Sequence, residues 1–174
     1  MTDPVRTVFQ GRVLTLNLER VVLPNGAAVE LEIAHHPGGA TVVALDAANR
    51  VCLLRQYRHA AGGWINELPA GKLDNQEPAL ACARRELAEE AGVHAARWDK
   101  LGDFFSSPGV LTEVIHVFLA RDLQPADARP ELHEVFEVGW VPLAEAVAMA
   151  LDGRIRDGKT LVGLFWASAV LGKA

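Results

Sequence analysis

The sequence predicts an α/β domain opened by an antiparallel β-meander, and three observations carry that prediction. Residues 29–33 alternate apolar Val29, Leu31 and Ile33 with acidic Glu30 and Glu32, the period of a half-buried strand. Residues 40–45 and 51–57 are short apolar runs separated by the polar turn 46–50, as two further strands require. Between later strand segments, a stretch from near Glu77 to Gly92 repeats its apolar residues at helical spacing.

The elements follow in order. Residues 8–18 and 21–23 read as strands, with Pro24-Asn25-Gly26 as the turn before 29–33, giving a three-stranded meander. After His36-Pro37-Gly38-Gly39 come strands 40–45 and 51–57, then a short strand over 64–69. The helix begins near Glu77. Pro78 suits its first turn, where a missing N–H costs nothing, and Gly92 suits the residue past its end. Ala79, Leu80, Ala83 and Leu87 form its apolar stripe. Strands are expected at 98–105, 114–120 and 135–141, and helices at 143–151 and 160–171.

Composition bounds the function. The 174 residues, 50% of them apolar, suffice for one buried core and are few for two. A net charge of −5 speaks against a surface for duplex nucleic acid. Cys52 and Cys82 are too few for a disulfide framework, so a reducing cytoplasm is the expectation. No signal peptide is read at the start, and the apolar run 161–171 is too short to span a bilayer.

The chemistry concentrates in residues 71–93. Glu86, Glu89 and Glu90 stand three and four apart, so a helix gathers their carboxylates on one face. Each such like-charge pair costs a few tenths of a kcal/mol on an isolated helix. A divalent cation among the oxygens reverses that sign, so a metal and an anionic substrate are expected. Arg85 and Glu89 are four apart, a spacing at which the arginine orients the carboxylate.

Gly71, Glu77, Arg85, Glu86, Leu87, Glu89, Glu90, Gly92 and Val93 resemble the Nudix box, Gx5Ex7REUxEExGU, at every fixed position. Further stretches resemble the ADP-ribose pyrophosphatase branch of that superfamily: Arg55-Gln56-Tyr57-Arg58, Glu67-Leu68-Pro69-Ala70-Gly71, Ser107-Pro108-Gly109 with Glu113, and 134–143. In that branch a proline beyond the box marks the substrate class, and Pro108 stands there.

The resemblance implies a Nudix-type α/β/α sandwich with a mixed central sheet over 37–174. It implies that the meander, 1–36, exchanges between the protomers of a homodimer and completes the substrate pocket. It implies hydrolysis of ADP-ribose to AMP and ribose 5-phosphate with Mg²⁺, for which Mn²⁺ can substitute. Glu86, Glu90 and the Ala70 carbonyl are the implied metal ligands, with Glu89 sharing ligation or accepting a proton from water. Arg12, Val13, Arg58, Glu67, Gly109 and Glu113 are the implied substrate contacts, and Trp64, Phe104 and Phe105 are weighed as stacking partners for adenine. For the general base, Glu134, Glu131 and Glu89 stay open. A relative's acidic position is Leu132 here, and His133 reads as a bystander. Competing readings are another nucleoside diphosphate substrate such as GDP-mannose or NADH, and a non-catalytic ADP-ribose-sensing module. No membrane or nucleic-acid partner is expected.

Overall fold

The computed structural model describes residues 5–74, 76–128 and 135–172. Three strands open the chain: β1 (Arg6–Gln10), β2 (Thr15–Val22) and β3 (Ala28–His35), paired antiparallel in that order. The meander is present, but its first turn is displaced from the expected place. Residues 8–18 are not one strand: the chain reverses at Gly11–Leu14, where the Gly11 N–H donates to the Leu14 carbonyl at 2.8 Å, and 15–22 runs on without a break. Arg12 and Val13 therefore sit at a hairpin tip. The second turn falls at Asn25-Gly26 as the sequence indicates, with Gly26 at φ 84°.

Two further sheets form the body. One has the order β10-β5-β6, from β5 (Arg50–Arg58), β6 (Gly63–Glu67) and β10 (Phe136–Pro142). The other runs β7-β4-β9-β8, from β4 (Gly39–Ala44), β7 (Ala70–Lys72), β8 (Val93–Phe105) and β9 (Val114–Pro125). Strand β4 pairs parallel with β9 and antiparallel with β7, so this sheet is mixed. A bridge between Leu45 and Val51 connects the two sheets.

The layering follows from side-chain alternation. Ala40, Val42, Cys52, Leu54, Phe118 and Ala120 face one way and pack on Cys82, Ala83 and Leu87 of α1 (Ala79–Ala91). Their neighbours Val43, Val51, Leu53 and Leu119 face the other way, onto Ala146 of α2 (Leu143–Leu151) and Leu164 and Ala167 of α3 (Gly158–Leu171). Helices cover both faces, the α/β/α arrangement expected.

Boundaries shift where local signals compete. Helix α1 starts at Ala79, with Pro78 extended just before it, so Glu77 precedes the helix rather than occupying its first turn. Strand β8 begins at Val93, directly after Gly92 at φ 63°, instead of at Trp98. A register shift at 100–102 lets it continue along β9. Among the described residues no helix is long and apolar enough to cross a membrane.

Candidate active site

A cleft of about 700 Å³ opens where β7, α1, the end of β5 and the start of α3 converge. Its walls include Val13, Arg58, Ala70, Gly71, Glu86 and Lys159. The carboxylate wall is built by α1 lying against β7. A Cβ on Gly71 would coincide with the Glu86 carboxylate, so glycine here lets the acid lie against the backbone. Glu90, one turn on and only 2% exposed, accepts the Ala70 N–H at 2.9 Å. These contacts pin the loop and the helix to one another.

Arg85 sits among the acids. Its Nη1 donates to Glu86 at 2.6 Å and to Glu89 at 3.1 Å, and its Nη2 donates to Glu77 at 2.8 Å. Partial burial alone would lower its pKa, but the bond to Glu77 and the charge of Glu86 hold the guanidinium well above its usual range. Glu77 also accepts the Asp74 N–H at 3.1 Å, so it braces the loop.

The opposite wall pairs two cations with two carboxylates. Arg58 grips Glu67 with two hydrogen bonds, 2.7 and 2.9 Å, and Lys159 donates to the same carboxylate at 2.6 Å and lies 2.9 Å from Asp157. Burial would raise the Glu67 pKa, but Arg58 and Lys159 more than offset it and hold it below the usual carboxylate range. Lys159 is placed by α3, whose N-cap Asp157 accepts the Thr160 N–H at 3.0 Å, while the Thr160 hydroxyl takes the Leu68 N–H at 2.8 Å.

The expected residues thus divide. Val13, Arg58, Ala70, Arg85, Glu86 and Glu113 line the cleft. Glu90 and Glu67 are buried behind its walls, and Glu89 is half-exposed beside Arg85. Arg12 and Gly109 are exposed and do not line the cleft in the single chain. Glu131, His133 and Glu134 lie outside the described residues. Of the aromatic candidates, Phe104 lines the cleft while packing edge-on against Trp166. Trp64 packs edge-on against Tyr57, with Arg55 over its ring at 4.6 Å. Phe105 is 61% exposed.

Lys159, Asp157 and His36 were absent from the expectations. The Asp157-Gly158-Lys159-Thr160 run does carry a helix-start signal, since Asp is a favoured N-cap. It does not reveal which way Lys159 points.

The donor set fits a hard divalent cation. Carboxylate oxygens dominate the box wall, and the nearby thiols of Cys82 and Cys52 are each pushed up to about 12 by burial and then by the Glu86 and Glu90 charges respectively, so they stay protonated at neutral pH. Among the described residues, no three His, Cys, Asp or Glu side chains converge as a closed metal cage. Arg85 takes the central position between Glu86 and Glu89 instead.

Comparison with known proteins agrees with this architecture. The NUDIX domain family matches residues 35–162. The chain is 38% identical to an ADP-ribose pyrophosphatase of Bacillus subtilis (strain 168) over 155 residues, 88% of this chain and 84% of that one. It is likewise 38% identical to a GDP-mannose pyrophosphatase of Yersinia enterocolitica, over 82% of this chain and 81% of that one. A solved structure described as an ADP compounds hydrolase superposes with a TM-score of 0.85 at 21% identity, covering 99% of this chain and 94% of that one, a likeness of fold. The family match spans well over half the chain and includes the whole carboxylate wall: this protein belongs to the NUDIX family of hydrolases.

Proposed function

We propose that this protein hydrolyses the diphosphate bond of ADP-ribose, releasing AMP and ribose 5-phosphate, with Mg²⁺ as its cofactor and Mn²⁺ able to replace it. The observation that carries the reading is one cleft with the acidic box residue Glu86 on one wall and the cations Arg58 and Lys159 on the other. Glu86, Glu90 and the Ala70 carbonyl would hold the ion, with Glu89 as a further ligand. When bound, a divalent ion offsets diphosphate charge and makes water easier to deprotonate.

The chain's own groups do the rest. Arg58 is preorganised by Glu67, so it meets a phosphate oxygen with little loss of side-chain freedom. Lys159 adds a second positive charge to the same wall. Arg85 fixes the orientation of Glu86 and Glu89. Glu113 and Gly109 contact the substrate beyond the phosphates, and Arg12 and Val13 close the nucleoside end. A carboxylate accepts the proton of the attacking water, with Glu89, Glu131 and Glu134 as the candidates.

The meander, 1–36, serves in this reading as a unit apart from 37–174. Val8, Phe9 and Leu31 are exposed apolar residues on it, surface that pairing in a homodimer would cover. The working compartment is the cytoplasm, where both free cysteines stay reduced.

A second substrate, GDP-mannose, is favoured by the equal identity to the Yersinia enzyme. Purified protein incubated with ADP-ribose, GDP-mannose and NADH, each with Mg²⁺ and with Mn²⁺, decides between them by chromatography of the products. AMP and ribose 5-phosphate formed at the highest kcat/KM support the proposal; preference for either other substrate overturns it.

A further inference from the structure

His36 follows β3, and its ring is mostly buried with one edge on the cleft (side chain 13% exposed). The surrounding backbone is tightly clamped. The His36 N–H donates to the Thr112 hydroxyl at 3.0 Å, the Ala34 N–H to the Val110 carbonyl at 2.8 Å, and the Thr112 N–H to the Ala34 carbonyl at 3.1 Å. Gly38, at φ 88°, presses on Val114 so closely that a Cβ would lie 2.9 Å from its carbonyl oxygen. The Gly38 carbonyl accepts the Leu73 N–H at 3.0 Å, which ties this turn to the box loop.

Two groups compete for one ring atom. The Nδ1 of His36 lies 3.0 Å from the Gly38 N–H and 3.2 Å from Oε1 of Glu113. A neutral Nδ1 with a lone pair accepts from Gly38 and repels the carboxylate. A protonated Nδ1 donates to Glu113 and leaves the Gly38 N–H without that acceptor. One atom cannot serve both at once.

We propose that His36 is a positioning residue that presents Glu113 to the substrate when its ring is neutral and ties up one Glu113 oxygen when protonated. The inference rests on the reading of Glu113 as a substrate contact. Glu113 is the ionisable group that the ring nitrogen touches; Lys72 and Asp74, from β7 and the turn after it, share the cleft wall.

The test has a spectroscopic and a kinetic arm. In ¹⁵N-labelled full-length protein, long-range ¹H–¹⁵N correlation should show Nδ1 unprotonated at about pH 8, with its protonation and the Gly38 amide shift moving together on acidification. Nδ1 carrying hydrogen at the alkaline end, or a Gly38 amide that ignores the ring, overturns the proposal. Kinetically, the wild-type KM should rise on the order of tenfold over the same span while kcat follows its own profile, the effect of one charge-assisted hydrogen bond. H36N keeps an oxygen acceptor for Gly38 but cannot titrate, so its KM profile should be flat. If E113Q leaves KM unaltered at the alkaline end, the substrate role of Glu113 fails and the proposal with it. If E113Q raises KM but H36N keeps the wild-type slope, the His36 role alone fails.

Discussion

The two walls of the cleft solve opposite electrostatic problems. On the Arg58 side, two cations (Arg58 and Lys159) face two carboxylates (Glu67 and Asp157), and the set neutralises itself. On the box side, Arg85 answers to Glu77, Glu86 and Glu89, and Lys72 to Asp74. The first wall is complete as built. The second holds more carboxylates than cations, an excess that a bound cation would offset.

Removing charge from each wall should therefore break different things. The largest loss of stability is expected for E67A, which removes the buried partner of Arg58 and leaves Lys159 with Asp157 alone. About 1–3 kcal/mol should disappear from the unfolding free energy in urea titrations, less than for a fully buried pair because solvent screens the half-exposed Arg58. The acid limb carries the same signature. Because the folded-state pKa of Glu67 is depressed, its contribution is complete above the ordinary carboxylate range and is lost as pH falls through the lowered value. E67Q should flatten that limb, and an unchanged acid limb would contradict the pairing.

On the box side, E86Q and E90Q should fold normally by circular dichroism yet lose at least ~10²-fold in kcat with Mg²⁺. Wild-type turnover in either variant would dismiss the ligand assignment. A subtler effect is expected for R85Q. Without its guanidinium the acids repel, so metal-free protein should lose about 1 kcal/mol, and added Mg²⁺ should raise Tm more than it does in wild type. Equal Tm gains in both proteins would show that Arg85 does not share the charge deficit. The smallest change is D157N, which retains the N-cap and removes one charge beside Lys159; a loss of a few tenths of a kcal/mol by thermal melts is anticipated.

Legibility in the sequence tracks how local each determinant is. Helix α2 lies at the residues expected, and β4 within one residue of them, because apolar periodicity alone defines them. The gathering of Glu86 and Glu90 on the buried face of α1 also follows from spacing within one helix. The hairpin tip at Gly11–Leu14 was not legible, since apolar residues on both sides read as one continuous strand. The start of β8 was hidden for a related reason: polar His94 and Arg97 and exposed Ala96 break the apolar signal, while pairing with β9 supplies the order. Lys159 belongs to neither category. Its place depends on α3 docking through Thr160 onto the Leu68 backbone, 92 residues away in sequence.

The contact between Gly71 and Glu86 has a consequence for how the enzyme can be silenced. A methyl group at position 71 would overlap Oε1 and Cδ of Glu86 and lie 2.7 Å from its Cγ, so that largely buried side chain must turn away from the loop. G71A should thus retain every acidic and basic group yet lose turnover with Mg²⁺, because one carboxylate has been turned away; turnover at the parent rate would contradict this. On that expectation the decisive atom is a hydrogen on a backbone carbon, which a survey confined to charged residues would overlook.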